Sequence, residues 1–146
     1  MQNLTVKDLM AENPIFVDLD DTLEDAAVEM RVVDCGVLPV GNRNNVKGVI
    51  TDRDIVIRAI AKGKDPAKER VRNYMTSKAF FCKEDDSITD AANVMGKNKI
   101  GRLIVRDDAG RVSGILSFGH ILRESISAAD IANLVSSVVG KRKKAA

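Results

Sequence analysis

The sequence is poor in the residues that carry most protein chemistry. Its 146 residues include one histidine, two cysteines, no tryptophan and five aromatics. A single histidine excludes His-based zinc sites and paired-His catalysis. Cys35 and Cys82 lie far apart, form no CxxC and sit among apolar neighbours. Both are expected to be buried reduced thiols, neither a disulfide nor a metal site. Phe16, Tyr74, Phe80, Phe81 and Phe118 are too few and too scattered for a single-strand stacking platform. No P-loop, GxSxG, HExxH or GxGxxG occurs and no nucleophile stands beside a base, so no enzyme, catalytic residue or bound metal is expected. No stretch reaches the roughly 20 apolar residues of a membrane span. The first residues, Met1-Gln2-Asn3-Leu4-Thr5, lack the basic-then-apolar pattern of a secretory signal. A cytoplasmic protein without membrane contact is the expectation.

What is present is enough for a folded core. The chain is 45% apolar and 30% charged, outside the range of disordered chains. Charge is nearly balanced, with 23 basic and 21 acidic residues for a net +2. Four of the basic residues form the run Lys141-Arg142-Lys143-Lys144, and without them the chain stands at −2. A domain-wide nucleic-acid surface is therefore not expected; the run reads as a solvated tail.

An internal repeat organises the rest. Shifted by 65, Val6–Val40 falls on Val71–Val105 with twelve of 35 positions identical, where chance gives about two. The identities include Met10/Met75, Phe16/Phe81, Asp21/Asp86, Asp25/Asp90, Ala26/Ala91, Ala27/Ala92, Met30/Met95, Gly36/Gly101 and Val40/Val105. Past Gly110 the shift becomes 66 and aligns Val46/Val112, Gly48/Gly114 and Ile55/Ile121, with Thr51 opposite Ser117.

Each copy reads as β-α-β-β-α. Thr22 and Ser87 are N-caps with Asp25 and Asp90 three residues on. Leu23, Ala26, Ala27 and Met30, like Ile88, Ala91, Ala92 and Met95, follow the spacing of one buried helix face. Strands are expected at 37–40, 46–50, 103–105 and 112–116, with Gly-, Asn- and Asp-rich turns between them. A second helix is expected from about Asp52 to Gly63, and its partner from about Phe118 to Ser125. The fold class is mixed α/β (α+β), with two tandem repeats packed in pseudo-twofold fashion. The expected parts are repeat 1 at 5–63, a linker at 64–70, repeat 2 at 71–126, a C-terminal helix at 127–140 and a basic tail at 141–146. Ile131, Leu134, Val135, Val138 and Val139 form one apolar stripe on that last helix, with Gly140 as its stop. A stripe this apolar needs cover, and a dimer contact is the expected use.

The pattern Asp20-Asp21-Thr22-Leu23-x-x-Ala26, Gly36-x-Leu38-Pro39-Val40, then Gly48-Val49-Ile50-Thr51-Asp52-Arg53-Asp54-Ile55 resembles the cystathionine-β-synthase (CBS) domain. Asp86-Ser87-Ile88-x-x-Ala91, Gly101-Arg102-Leu103-Ile104-Val105 and Gly114-Ile115-Leu116-Ser117 resemble it a second time. The resemblance covers about residues 5–126. It implies a tandem CBS pair, or Bateman module, a homodimeric regulatory unit that senses an adenosine-containing ligand. AMP, ADP, ATP, NAD and S-adenosylmethionine are the candidate effectors, with no required cofactor and an effector protein that the sequence does not name.

Independent reasoning marks the same place. Thr51 and Asp54 lie where a strand passes into a helix, and free N–H groups there favour anions. An acidic side chain can accept both hydroxyls of a ribose. The plain alternative is that Thr51 caps the helix and Asp54 complements its dipole. Arg53 beside that turn is a phosphate candidate, or a solvated arginine. Within the resemblance, Lys78, Ala79 and Phe80 line this cleft between the repeats, Ile100 packs against a base, and Arg102 meets a phosphate. The second, weaker cleft has Ser117 but His120 in place of the carboxylate, and an imidazole cannot accept two hydroxyls through one group. The competing function is a structural or interaction dimer with empty clefts, contacting nucleic acid through its basic tail.

Overall fold

A computed structural model describes residues 4–124 and 127–139. Gly140 and the basic run lie outside these residues, as does the boundary near Ser125. The first helix, α1, spans Val6–Leu9 and is followed by strand β1, Ala11–Glu12. Helix α2 spans Leu23–Val33. Thr22 caps it as the spacing predicts: the hydroxyl accepts the Asp25 N–H and the Asp25 carboxylate accepts the Thr22 N–H, both at 3.0 Å. Strands β2 (Val37–Asn42) and β3 (Asn45–Thr51) form a hairpin. The following helix is present but wound wide, as a π-helix over Asp54–Ala59 and a 3-10 turn over Ile60–Lys62. The Ile60 N–H is shared between the Ile55 and Val56 carbonyls.

The second repeat contributes β4 (Phe81–Lys83), α3 (Ile88–Asn98), β5 (Arg102–Arg106), β6 (Val112–Ser117) and α4 (Phe118–Glu124). Helix α5, Ala128–Val139, follows. One sheet has the order β1-β6-β5-β4, with β4 parallel to β5 and the other pairs antiparallel.

The two copies differ at their first strand. In the second, the Ile104 N–H donates to the Phe80 carbonyl at 2.9 Å and β4 forms a three-residue parallel ladder. At the position of Ile104 the first copy has Pro39, which has no N–H to give. Pairing there shrinks to a single bridge between Val17 and Val40. Among the described residues the first copy therefore has no strand at 16–18, the place equivalent to β4.

The chain forms two compact units, and they are not the two sequence repeats. One holds residues 13–79; the other joins the stretch through Glu12 to the chain from Phe80 onward. Each repeat core thus carries the segment that precedes its sister. Val6 donates to the Asp86 carbonyl, and its equivalent Val71 donates to Asp21, both at 2.9 Å. Lys7 donates to Glu84 and Arg72 to Leu19, both at 3.0 Å. Val6 and Val71 are completely buried. The aligned glycines follow from this traffic. A Cβ on Gly48 would lie 2.3 Å from the Thr76 carbonyl oxygen, and one on Gly114 would lie 2.8 Å from that of Ala11. In the 13–79 unit the core gathers Val17, Leu23, Ala26, Met30, Leu38, Val40, Ile50, Ile55, Ala59 and Val71.

The α5 stripe divides into a buried and an exposed part, and one burial expectation, at Ala27, is corrected. Leu134 is buried on the second-repeat core and Val138 packs against it, but Ile131, Val135 and Val139 are exposed. Ala92 is completely buried, as the pattern predicts, whereas its equivalent Ala27 is exposed. Within its own unit α5 packs on α3. It approaches so closely that a Cβ on Gly96 would lie 1.9 Å from the Ser137 carbonyl oxygen. The residue at Gly96's place on α2 is Arg31, which would hold such a helix off.

Gly96→Ala is accordingly expected to lower stability by about 1–3 kcal/mol through overpacking and to speed proteolysis within α5. Gly101→Ala, where a Cβ meets nothing within 4 Å, should leave both unchanged. Urea unfolding and limited proteolysis of the two variants check this.

Candidate functional site

The strand-to-helix turn at Thr51 is built by β3, whose partner β2 sets Val37 opposite Thr51. The Asp52 N–H closes the turn on the Gly36 carbonyl at 2.9 Å. The Thr51 hydroxyl accepts the Asp54 N–H and the Asp54 carboxylate, through Oδ2, accepts the Thr51 N–H, both at 3.0 Å. This is the capping geometry of Thr22 and Asp25. It recurs at Thr5 and Asp8, where the Asp8 carboxylate accepts the Thr5 N–H, and in half form where the Ser87 hydroxyl accepts the Asp90 N–H. A hydroxyl three residues before a carboxylate is thus a general helix-start device in this chain.

What separates Thr51 and Asp54 from the other hydroxyl-and-carboxylate caps is burial. Their bonds are partly buried, while those at Thr5, Thr22 and Ser87 are exposed. The Asp54 side chain is 14% exposed. Its Oδ1 stands 3.8 Å from the Arg58 guanidinium, an ion pair too long to be a hydrogen bond. Oδ1 therefore keeps its lone pairs for hydroxyl donors. Arg58 also donates to the Tyr74 carbonyl. Arg58 and Tyr74 were not among the residues singled out from sequence, although the i,i+4 spacing of Asp54 and Arg58 was a signal for the first.

The remaining candidates divide between the two units. Arg53 is exposed beside the turn. Lys78 is exposed and Ala79 half-buried in the 13–79 unit. The chain there is antiparallel to β3, with Thr76 bridged to Val49. From Thr76 it runs toward the hairpin end of β3, which leaves Tyr74 on the Thr51 side. Phe80 and Ile100 belong to the other unit, where both pack against its core. Arg102 lies there too, exposed and opposite Ser117 in the β5–β6 ladder. The Ser117 hydroxyl accepts the His120 N–H at 3.2 Å, so the second turn keeps the cap without a carboxylate.

The thiols have no place in this chemistry. Burial, aided by the charge of Asp86, pushes Cys82 up to about 12, and a neutral thiol is a poor nucleophile. Cys35 is half-buried, less than the sequence led us to expect, and its Sγ donates to the Val37 carbonyl at 3.3 Å. Among the described residues no three His, Cys, Asp or Glu side chains converge as a metal site requires. No described helix is long and apolar enough to cross a membrane.

Two copies of one α/β repeat, each with a hydroxyl-capped turn leading from strand to helix, define a tandem-repeat module. The chain belongs to the CBS domain family, whose model matches residues 6–60 and again 71–127. It is 31% identical over 123 residues to the CBS domain-containing protein YhcV of Bacillus subtilis, covering 84% of this chain and 86% of that one. It is 32% identical over 120 residues to hypoxic response protein 1 of Mycobacterium tuberculosis, covering 82% and 83%. Among solved structures, the CBS domain pair of protein MJ0100 in complex with 5′-methylthioadenosine and S-adenosyl-L-methionine matches with a TM-score of 0.72. The identity is 28%, over 82% of this chain and 94% of that one.

The cap reading makes two predictions. Thr51→Ala and Thr22→Ala should each lower stability by about 0.5–2 kcal/mol, measured by urea unfolding. Asp25 adds a pH dependence, because hydrogen bonds from the Thr22 N–H and hydroxyl hold its carboxyl below the ordinary 3.8. Its contribution is fully present above that value and is lost as pH falls through the lower folded value. Asp25→Asn should flatten the fall in stability below pH 4.

Proposed function

We propose that this chain is a non-catalytic regulatory module that binds an adenosine-containing ligand at the Thr51–Asp54 turn. The candidates remain AMP, ADP, ATP, NAD and S-adenosylmethionine. The observation that carries the reading is the sheltered Asp54 carboxylate, whose Oδ1 is free of hydrogen bonds within the turn while Oδ2 is fixed by the Thr51 N–H. A ribose diol presents two hydroxyl donors to such an acceptor. Arg53 is suited to a phosphate beside it. The adenosyl compounds in the MJ0100 pair support the ligand class. Lys78, Ala79, Phe80, Ile100 and Arg102 enter through the family resemblance as further lining residues, and Ser117 with His120 as the weaker site.

A second reading is favoured by the caps themselves. If Thr51 and Asp54 do no more than Thr22 and Asp25, the module is a scaffold whose turns stay empty. Both readings include assembly with a second copy. Among the described residues, seven of the ten exposed large hydrophobics lie in the 13–79 unit, among them Val28, Val32, Val56, Ile57 and Ile60, and the other three lie on α5. Faces of this kind need a partner, and a homodimer provides one.

Calorimetric titration with the five candidate ligands decides between the readings. A ligand at 100 times its Kd should add about 2.7 kcal/mol of stability. Asp54→Asn preserves the shape of the turn and should weaken binding by about 1.5–3 kcal/mol, while His120→Ala should cost little. Equal affinity in the wild type and Asp54→Asn contradicts the site, and a wild type that binds none of the five favours the scaffold.

A further inference from the structure

We propose that a groove beside α2 in the 13–79 unit is a docking surface for the α5 end of a second copy of this chain. The inference rests on the second-copy assembly proposed above and is independent of the ligand. The groove has a volume of about 600 Å³. Ile15, Phe16 and Val28 supply its apolar wall, and Asp21, Asp25 and Glu29 supply three carboxylates.

The repeat shows what chemistry the groove lacks. In the second copy the Arg106 guanidinium lies over the Phe81 ring, 3.5 Å from its centroid. Phe16 is the equivalent of Phe81, but the equivalent of Arg106 is Gly41. Local register is the same in both copies, because Val17 pairs with Val40 as Cys82 pairs with Val105. The fold has no room to supply a side chain at that point. Gly41 has φ +115°, and a Cβ there would lie 2.3 Å from the Asn45 carbonyl oxygen. The second copy also carries Asn93 and Val94 where the first has Val28 and Glu29. The groove therefore carries one carboxylate more than the equivalent positions of the second copy, and a ring without the cation its counterpart holds.

The α5 end has the complementary chemistry. Ile131, Val135 and Val139 are exposed at i, i+4 and i+8, on a helix that is anchored to its own unit through Leu134. Lys141-Arg142-Lys143-Lys144 follows in sequence after Gly140. An apolar helix edge leading into four cations matches an apolar wall set among three carboxylates. An arginine in that run can occupy the open ring face of Phe16 by the same cation–π contact that Arg106 makes on Phe81. A nucleic acid would meet repulsion from the groove carboxylates.

Sedimentation equilibrium of the full chain at low salt tests the proposal, with Glu29→Lys, with Lys141, Arg142, Lys143 and Lys144 all changed to Glu, and with the two sets combined. Each single set should weaken dimerisation at least tenfold, and the combination should recover part of the loss. Carbodiimide coupling of mixed 15N-labelled and unlabelled protein should join Glu29 to a tail lysine in peptides of mixed isotope. A dimer indifferent to both charge reversals overturns the inference and leaves the homodimer standing. So does coupling within one copy only, or a charge-reversed tail that loses only retention on nucleic acid. A wild type that is monomeric throughout removes the assembly reading and this inference together.

Discussion

The backbone bond from Val6 to Asp86, repeated from Val71 to Asp21, is the constraint from which the architecture follows. It places the leading segment of each repeat on the core of the other. Two valines are buried completely as a result, each worth roughly 1.5–3 kcal/mol relative to exposure. The 13–79 core closes only when the head of the second repeat arrives with Val71, and the other core joins the stretch through Glu12 to the chain from Phe80 onward. Gly48 and Gly114 are glycines because the visiting segment runs across them.

The same exchange shapes the candidate site. The segment that arrives with Val71 delivers the Tyr74 carbonyl to Arg58, and Arg58 in turn stands beside Asp54. The carboxylate thus sits between a cap bond on one oxygen and a guanidinium near the other. A hydroxyl ligand meeting Oδ1 would share it with Arg58, not displace a hydrogen bond. The wide winding of Asp54–Ala59 begins at this residue. π-helical turns recur at functional sites, and α4 at the equivalent place is regular.

Much of this was legible in the sequence. The caps at Thr22 and Ser87, the hairpin strands and the two-copy plan are local signals, set by hydroxyl-to-N–H bonds and apolar spacing, and they appear where the residues put them. The loss of a strand at 16–18 was legible in principle from Pro39, because a missing N–H at the position of Ile104 removes one rung of a parallel ladder. The exchange was not legible. The identity of Val6 with Val71 says that two segments are alike, while the carbonyl each one meets depends on long-range pairing. The exposure of Ala27 was hidden for a similar reason, since apolar spacing alone does not say what packs against a helix face. At the site, the T-x-x-D spacing left a cap and a ligand contact equally open. The structure repeats it as a cap, and only the shelter of Asp54 and its neighbour Arg58 set one instance apart.

The exchange of leading segments is tested most directly by amide chemical-shift changes in two single variants. The account predicts that Val6→Ala perturbs residues 80–124 and 128–139 and leaves 13–70 nearly unchanged. Val71→Ala should do the reverse, perturbing 17–60 and leaving 86–124 unchanged. If Val6→Ala instead moves the amides around Leu23 and Val40, each repeat keeps its own leading segment and the account is wrong.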